Sequence, residues 1–459
     1  MKARASLPIF LFVCAPAAYL FGQVDCTTST KLACEFPDSA RTLAEDTIGV
    51  AKGSEQAVLS AAVLASGPFN ASIAAQLTQL PIPSATVGTV YLKQKGQDAP
   101  IPYENLGPIL TDRPDTVGKG HLFLGFSYQH FNFNALDSRS LGSLPAGFVF
   151  SQPSPSNPSD TQTFYGEDRN NVGFKLDQFV GVLTYGLTGT TDLSVIVPSN
   201  SVTLGVATSN LLAFFYDFAS NTYTNISPQA GKAVLSSGSA AGLGDVTINV
   251  KHLFIGGEES RPAIAAGATF RFPSGDALNY LGSGAYGGSV YGLIEYRRRI
   301  TPHLKLSYQW NGNSQVLDLT QAPYLRLPGG LQYAAGADVK VKGHYLTLAA
   351  DVLGNQSVNT PSFAVSQVTV CPARAISGVC IARNPPPGLN PYTSVTAVNS
   401  TYSTANLSFG AKCSPRKGLL IYGNVLFQVN NVGLRSDPVP LVGIAYNFKP
   451  GSKQSGDEF

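Results

Sequence analysis

Charge is scarce in this 459-residue chain: Asp, Glu, Lys and Arg make up 13% of it, about half the ~25% of an ordinary soluble domain. The 31 basic and 28 acidic residues nearly cancel, and the basic ones form no cluster, which removes nucleic acid from the candidate partners. Long apolar runs are missing too. The N-terminal run, Leu7 to Gly22, follows Lys2 and Arg4 and falls short of the ~20 residues of a spanning helix; no later stretch comes closer, so the mature chain is expected to have no membrane-spanning helix. With small residues at Ala15, Ala17, Ala18 and Gly22, this run reads as a secretory signal peptide over residues 1–23, cleaved between Ala17 and Gln23. No good lipobox precedes Cys14 or Cys26, so a lipid anchor is not expected.

Cysteine is sparse, with six in all, and Cys14 leaves with the signal. Cys26 with Cys34, and Cys371 with Cys380, each enclose a short polar segment, which in an oxidising compartment predicts two local disulfides. Neither pair has C-x-x-C spacing or a nearby His, so no metal site and no cofactor are expected. Cys413 has no evident partner.

What the sequence does have is glycine, 46 residues, and tyrosine, 20, together with 44% apolar residues that form no block and leave the mean hydropathy at +0.06. Alternation accounts for this. From Gly118 onward, apolar and polar residues take turns over stretches of about 9 to 14 residues, the length at which a tilted strand crosses a bilayer. In Arg261 to Phe272, Ile264, Ala266, Ala268, Phe270 and Phe272 share one face, and Ala265, Gly267, Thr269 and Arg271 the other. Val246 to Ile255, His303 to Asn311 and the stretch around Asn406 to Lys412 repeat the pattern.

A soluble sandwich has the same period, so the connections decide. Short links near Thr188 to Thr191, Gly256 to Ser260, Thr301 and Pro302, Lys342 and Gly343, and Ser414 to Gly418 alternate with long ones at 135–170, 205–243, 273–287 and 354–397. Short periplasmic turns, long outer loops and an even strand number are the marks of a bacterial barrel. The expected fold is all-β: a transmembrane antiparallel up-and-down β-barrel of about 12 strands over 118–448, with a tail at 449–459. Two places break the phase, near Gln178 and around Pro198, and read as bulges or strand ends.

Residues 24–117 differ in kind, with helix-compatible runs at Thr47 to Ala65 and Ala71 to Leu80 followed by Pro-rich coil. This partly helical N-terminal extension is expected either to fold up into the lumen as a plug or to lie beneath the barrel as a periplasmic cap.

The stretch Leu106-Gly107-Pro108-Ile109-Leu110-Thr111-Asp112-Arg113-Pro114-Asp115 running through Gly120 into a first strand, the Gly242-Leu243-Gly244-Asp245 strand opening with Lys251 beyond it, and the loop Pro273-Ser274-Gly275-Asp276 with Leu281-Gly282-Ser283-Gly284 together resemble barrels of the putative MetA-pathway of phenol degradation family. The resemblance covers roughly 106–448. It implies an outer-membrane barrel in the neighbourhood of porins and long-chain fatty-acid transporters, with a role in the uptake of aromatic or other hydrophobic compounds, and not an enzyme of phenol breakdown.

Charged residues within strands would each cost several kcal/mol against lipid. Lys175, Asp177, Lys251, Arg271, Glu295, Arg297, Lys305, Asp338, Lys340 and Asp351 are therefore expected to line the lumen, either selecting solutes or bracing the wall with ion pairs. Aromatic residues near strand ends, Tyr128, Phe131, Phe133, Tyr185, Tyr296, Tyr308, Trp310 and Tyr345, suit interfacial girdles. Gly282 to Gly287 matches G-x-G-x-x-G but leads into a strand, so it reads as a loop, and no nucleophile and base cluster. The sequence thus points to a channel or transporter in the bacterial outer membrane, with a non-transporting surface barrel acting through its long loops as the alternative. Expected partners are outer-membrane lipid and lipopolysaccharide, a small-molecule solute and, through the aromatic last strand Leu441 to Phe448, the barrel-assembly machinery.

Overall fold

The computed structural model describes residues 26, 28–84, 90–92, 101–103, 106–154, 158–159, 161–217, 222–226, 233–256, 262–317, 319, 326–342, 346–368, 392–416 and 418–450. The expected signal peptide, Tyr345, Cys371 and Cys380 of the second expected disulfide, and the tail from 451 lie outside them.

Alternation resolves into a ring of twelve antiparallel strands: β1 (Leu122–Leu136), β2 (Thr161–Gly186), β3 (Thr191–Asp217), β4 (Thr247–Ile255), β5 (Pro262–Arg271), β6 (Gly287–Tyr296), β7 (Ile300–Asn311), β8 (Gly329–Lys342), β9 (Leu346–Val368), β10 (Tyr392–Arg416), β11 (Leu419–Gln428) and β12 (Val439–Phe448). Each pairs with the next, and β12 returns to β1 with Val442 opposite Tyr128 and Tyr446 opposite Leu124. Closure satisfies the backbone without water, which is what a chain crossing hydrocarbon requires. Both ring termini lie at the end where the tight connections gather, the periplasmic end by the usual polarity of such barrels. One of those turns falls at 297–299 and not at Thr301 and Pro302, which belong to β7.

Side-chain parity gives the ring its two faces. On β7, Leu304, Leu306, Tyr308 and Trp310 are exposed outward, while His303, Ser307, Gln309 and Asn311 are buried inward. Val290 and Ile294 of β6 and Val442, Ile444 and Phe448 of β12 continue the outer belt. Six strands, β4 to β7 with β11 and β12, have only 9–12 residues, about the height of the hydrocarbon core.

The other strands correct the expected loops. β2, β3, β9 and β10 run for 23–27 residues and rise past the belt. Residues 144–153 pair with the start of β2, and 233–243 pair with β3, so much of what reads as loop is extended wall. These extensions also explain the two phase breaks, neither of which is a bulge. Across Gln178 the ladders to β1 and β3 run without a register shift. Below Gln178 the outward residues Phe179, Leu183 and Tyr185 are apolar and exposed; above it the inward residues Val172, Phe174 and Leu176 are apolar and buried. The apolar face changes sides because lipid lies outside below and protein lies inside above. β3 behaves alike: Val195 and Val197 point outward below, and Val202, Leu204 and Val206 are buried inward above. Pro198 sits where β3 changes partner from β4 to the 233–243 strand, and its carbonyl accepts from Gly244 N at 2.8 Å; a residue without an N–H is tolerated at such a break.

The protein inside is the N-terminal segment. Helix α1 (Glu35–Ile48) ends where Gly49 takes φ +72°, and helix α2 (Glu55–Leu77) follows. The sequence thus missed α1 and the turn at 49–54, which interrupts the expected run Thr47 to Ala65, and it divided α2 near Pro68, where the helix is continuous. A proline removes one internal bond and crowds the preceding turn, yet here the helix is held from all sides: Phe69 packs edge-on to Phe174, Asn70 Oδ1 accepts from Tyr280 Oη at 2.6 Å, and Ser72 Oγ donates to Pro68 O at 2.8 Å. α2 is also long and apolar enough to cross a membrane by length and composition, contrary to expectation, and most of it is buried within the structure. Its partners are inward side chains of several strands, which accounts for an apolar surface all round. Phe131 and Phe133, expected in a girdle, point inward as part of this packing; Phe133 stacks on Phe174 at 5.0 Å.

A polar chain ties α1 to the upper wall. Ser39 Oγ meets Thr208 Oγ1 at 2.6 Å, Thr208 donates to Asn170 Oδ1 at 2.7 Å, and Asn170 Nδ2 donates to Asp168 Oδ1 at 2.6 Å. Asp168 is fully buried on the extension of β2 beyond the belt, its Oδ2 lacks a hydrogen bond, and burial pushes its carboxyl up to about 7. A carboxyl raised on folding binds more protons folded than unfolded between about pH 4 and 7, so stability falls as pH rises through that window and levels off above it. Hydrogen exchange of the β2 and β3 extensions is expected to quicken from pH 5 to 7 with a slope of at most about 1.4 kcal/mol per unit, and Asp168→Asn is expected to remove that slope.

Candidate functional site: the barrel lumen

Two structures built from the N-terminal segment and the wall define the lumen. The first is a strap across the periplasmic end, residues 106–117. It starts beside β9 and β10, where Leu106 N donates to Thr347 Oγ1 at 3.1 Å and the buried Lys412 ammonium donates to the carbonyls of Leu106, at 3.3 Å, and Pro108. It then crosses to β7, where Lys305 pairs with Asp112 at 2.9 Å, and to β6. There Arg113 and Asp115 face Glu295 and Arg297 in a square of charges: Arg113 to Glu295 at 3.1 Å, Asp115 to Arg297, Arg113 to Asp115 at 3.3 Å and Arg297 to Glu295 at 3.3 Å. All four side chains are 6% exposed or less. Lys251 of β4 donates to the carbonyls of Arg113 and Asp115 at 2.8 and 2.5 Å, and Val117 N reaches Asp192 of β3 at 3.0 Å. A proline between Arg113 and Asp115 fixes φ and sends both side chains toward the same wall strand.

The second is a clamp nearer the outer end. Asp245 accepts from Gly275 N at 3.2 Å, Ser283 N at 2.8 Å and Ser283 Oγ at 2.5 Å, and pairs with Arg271 at 3.6 Å. The two glycine motifs thus meet at one carboxylate. Gly275 and Gly282 must be glycine: a Cβ on Gly282 would stand 2.2 Å from Asp245 Oδ1 and 2.9 Å from the Gly275 Cα. The loop so folded grips the N-terminal segment, with Asp276 on Lys31 at 2.6 Å and Asn279 Oδ1 accepting from Leu32 N at 3.2 Å. A disulfide between Cys26 and Cys34, Cα atoms 5.2 Å apart, closes the gripped end.

Between clamp and strap lies a cavity of about 300 Å³. Its floor is the strap at Leu110 and Asp112, its roof the chain Gln76 to Pro83 leaving α2, and its wall a belt of amides with tyrosines, including Gln178, Asn200, Gln309, Gln332, Tyr291 and Tyr333. Thr78 O accepts from Gln309 Nε2 at 3.0 Å, and Gln79 Nε2 reaches Ser357 Oγ at 3.1 Å. Such a lining is wet on one side and greasy on the other.

Of the ten charged residues expected to line the lumen, Lys251, Arg271, Glu295, Arg297, Lys305, Asp338, Lys340 and Asp351 lie on the inward parity of their strands or, for Arg297, just past one. Asp338 and Asp351 flank the His303 ring, at 3.1 Å from Nδ1 and 2.5 Å from Nε2. The two ring nitrogens thus tie β7 to β8 and β9 through one carboxyl each. Lys175 and Asp177 are corrections: they share the outward face of β2 with Phe179. The rule that a strand charge avoids lipid fails there because β2 has already left the belt. Asp177 accepts from Tyr128 Oη at 2.6 Å and contacts His130 Nδ1 at 2.7 Å on the outer surface. Sequence reasoning also passed over His303, Lys412 and Asp192, which strand parity alone places inward, and Asp112, Arg113 and Asp115, which no periodicity could assign.

Residues 156–370 match the family model described as putative MetA-pathway of phenol degradation. Over those residues the chain is similar to this family. Strap and clamp carry the motifs that resemble the family, and the strap lies outside the matched span. Solved structures similar to the chain include an outer membrane channel from Pseudomonas putida F1, 12% identical over 73% of this chain and 98% of that one with a TM-score of 0.40. The TodX monoaromatic hydrocarbon channel deltaS2 mutant is also similar, at 12% identity, 73% and 92% coverage and a TM-score of 0.32. Among curated proteins, none matches the sequence.

Proposed function

We propose that this protein is an outer-membrane channel for small solutes, hydrophobic and aromatic ones among them, plugged at rest by its two N-terminal helices and the strap 106–117. The observation that carries the reading is the cavity of about 300 Å³ between roof and strap, where a belt of amides and tyrosines faces apolar side chains such as Leu353, Leu426 and Val439, at the low end of the size range for small-molecule sites. A barrel built only to stand in lipid has no need of a shaped space on its axis. Strap and clamp are local contacts that can yield without unpairing any strand. Tyr446 and Phe448, stacked at 5.5 Å on the outer face of β12, suit recognition by the barrel-assembly machinery, and the aromatic-flanked belt suits lipid and lipopolysaccharide.

Uptake of phenol into proteoliposomes tests this. Entry faster than into empty liposomes is expected, rising further when the strap is released; no entry in either state contradicts it. One observation favours the alternative of a non-transporting surface barrel, the projection of β2, β3, β9 and β10 beyond the belt. Shortening the β9–β10 hairpin separates the two, since a channel keeps its flux and a surface binder loses its phenotype.

A further inference from the structure

Five charged side chains line the cavity among the described residues: Asp112, Asp245, Arg271, Lys305 and Arg435. Four are matched, Lys305 with Asp112 and Arg271 with Asp245. Arg435 is the remainder. It is 3% exposed, it sits on the short strand Leu434–Ser436 beside β1, and among the described residues no carboxylate pairs with it. One guanidinium nitrogen, Nη2, donates to Ala405 O at 2.9 Å and Asn406 Oδ1 at 3.1 Å, while its buried Nε has no hydrogen-bond partner. A buried, unpaired cation is costly unless something of opposite charge completes it, and the cavity lining carries a net charge of one positive unit.

The ground beside Arg435 is apolar on one side and amide on the other. Leu353, Asn406 and Gln428 form one cross-strand row on β9, β10 and β11, and Leu426 pairs with Val439 in the next row. All five line the cavity. A guanidinium binds planar oxyanions as a fork, and the leucine and valine side chains next to it take no charge. Resting on the channel reading above, we propose that Arg435 anchors the carboxylate of a small arenecarboxylate whose ring lies on Leu353, Leu426 and Val439. The cavity's size favours a single ring over a long chain, and its single excess charge favours a monoanion over a dianion.

The test uses the full-length protein in detergent at pH 7.5, its folded state checked by heat-modifiable gel mobility. Isothermal titration is run with benzoate, its neutral isostere benzamide, acetate and inorganic phosphate. Benzoate is expected to bind at least tenfold tighter than benzamide, acetate or phosphate. Arg435→Gln is expected to bring the benzoate-to-benzamide ratio to about one, and Arg435→Lys to restore part of it. Equal binding of benzoate and benzamide by the unmodified protein, an unchanged ratio in Arg435→Gln, or acetate or phosphate binding as tightly as benzoate would each overturn the proposal. The wild-type comparison stands even where a variant fails to fold. Phenol flux without benzoate preference sinks this inference alone, whereas benzoate binding without any flux sinks the channel reading and leaves the anion site.

Discussion

Glu295→Ala is expected to open the barrel. Glu295 is the wall carboxylate that faces Arg113 of the strap at 3.1 Å, and it also neutralises Arg297 at 3.3 Å. Its removal leaves two buried guanidinium groups to share Asp115, and breaking one side of a buried pair costs about 3–5 kcal/mol. Spent against the strap's closed position, a penalty near 3 kcal/mol raises the open population by roughly a hundredfold. The strands do not depend on this carboxylate for their ladders, so the folded barrel is expected to survive while phenol entry and single-channel conductance rise at least tenfold. Arg113→Glu, which sets a carboxylate against both Glu295 and Asp115, is expected to do the same. Loss of folded protein with no gain in flux would show that the square of charges braces the wall and gates nothing.

Charge placed on the two faces of one strand is expected to act in opposite ways. Val290 of β6 is 50% exposed on the outer belt, and Ser289 beside it faces the lumen. Val290→Arg puts a guanidinium into hydrocarbon near the middle of a ten-residue strand, where barrels lose about 2–4 kcal/mol. Ser289→Arg places the same group in the cavity wall, where it is expected to cost less than half as much and to slow solute entry. Equilibrium unfolding from lipid vesicles measures both, and equal penalties would contradict the assignment of faces.

The ring and its strand number were legible in the sequence because lipid outside and water inside impose period two on every spanning segment, as in β5 and β7. The same rule misled at Lys175 and Asp177, which lie on the outward face of β2. Alternation reports which face is apolar, and above Gln178 the apolar face turns inward to meet α2, so one pattern carries opposite meanings along a single strand. Nothing local to Val172, Phe174 and Leu176 reveals that a helix 100 residues earlier will cover them. The strap was hidden for a related reason. Arg113 and Asp115 lie in coil, and only the folded barrel brings Glu295 and Arg297 to them. The glycine motifs, by contrast, were visible as motifs but not as a pair until Asp245 joined them.

In the proposed mechanism solute passes only when the strap leaves the wall. Cysteines at Leu106 and Thr347, whose backbone nitrogen and hydroxyl already meet at 3.1 Å, in a chain with Cys413→Ser, would lock it there. Phenol entry into proteoliposomes is then predicted to fall to the empty-liposome rate under oxidation and to return on reduction, with the Cys413→Ser parent unaffected by either treatment. Equal entry through the locked and the reduced channel would show that the strap does not gate the lumen.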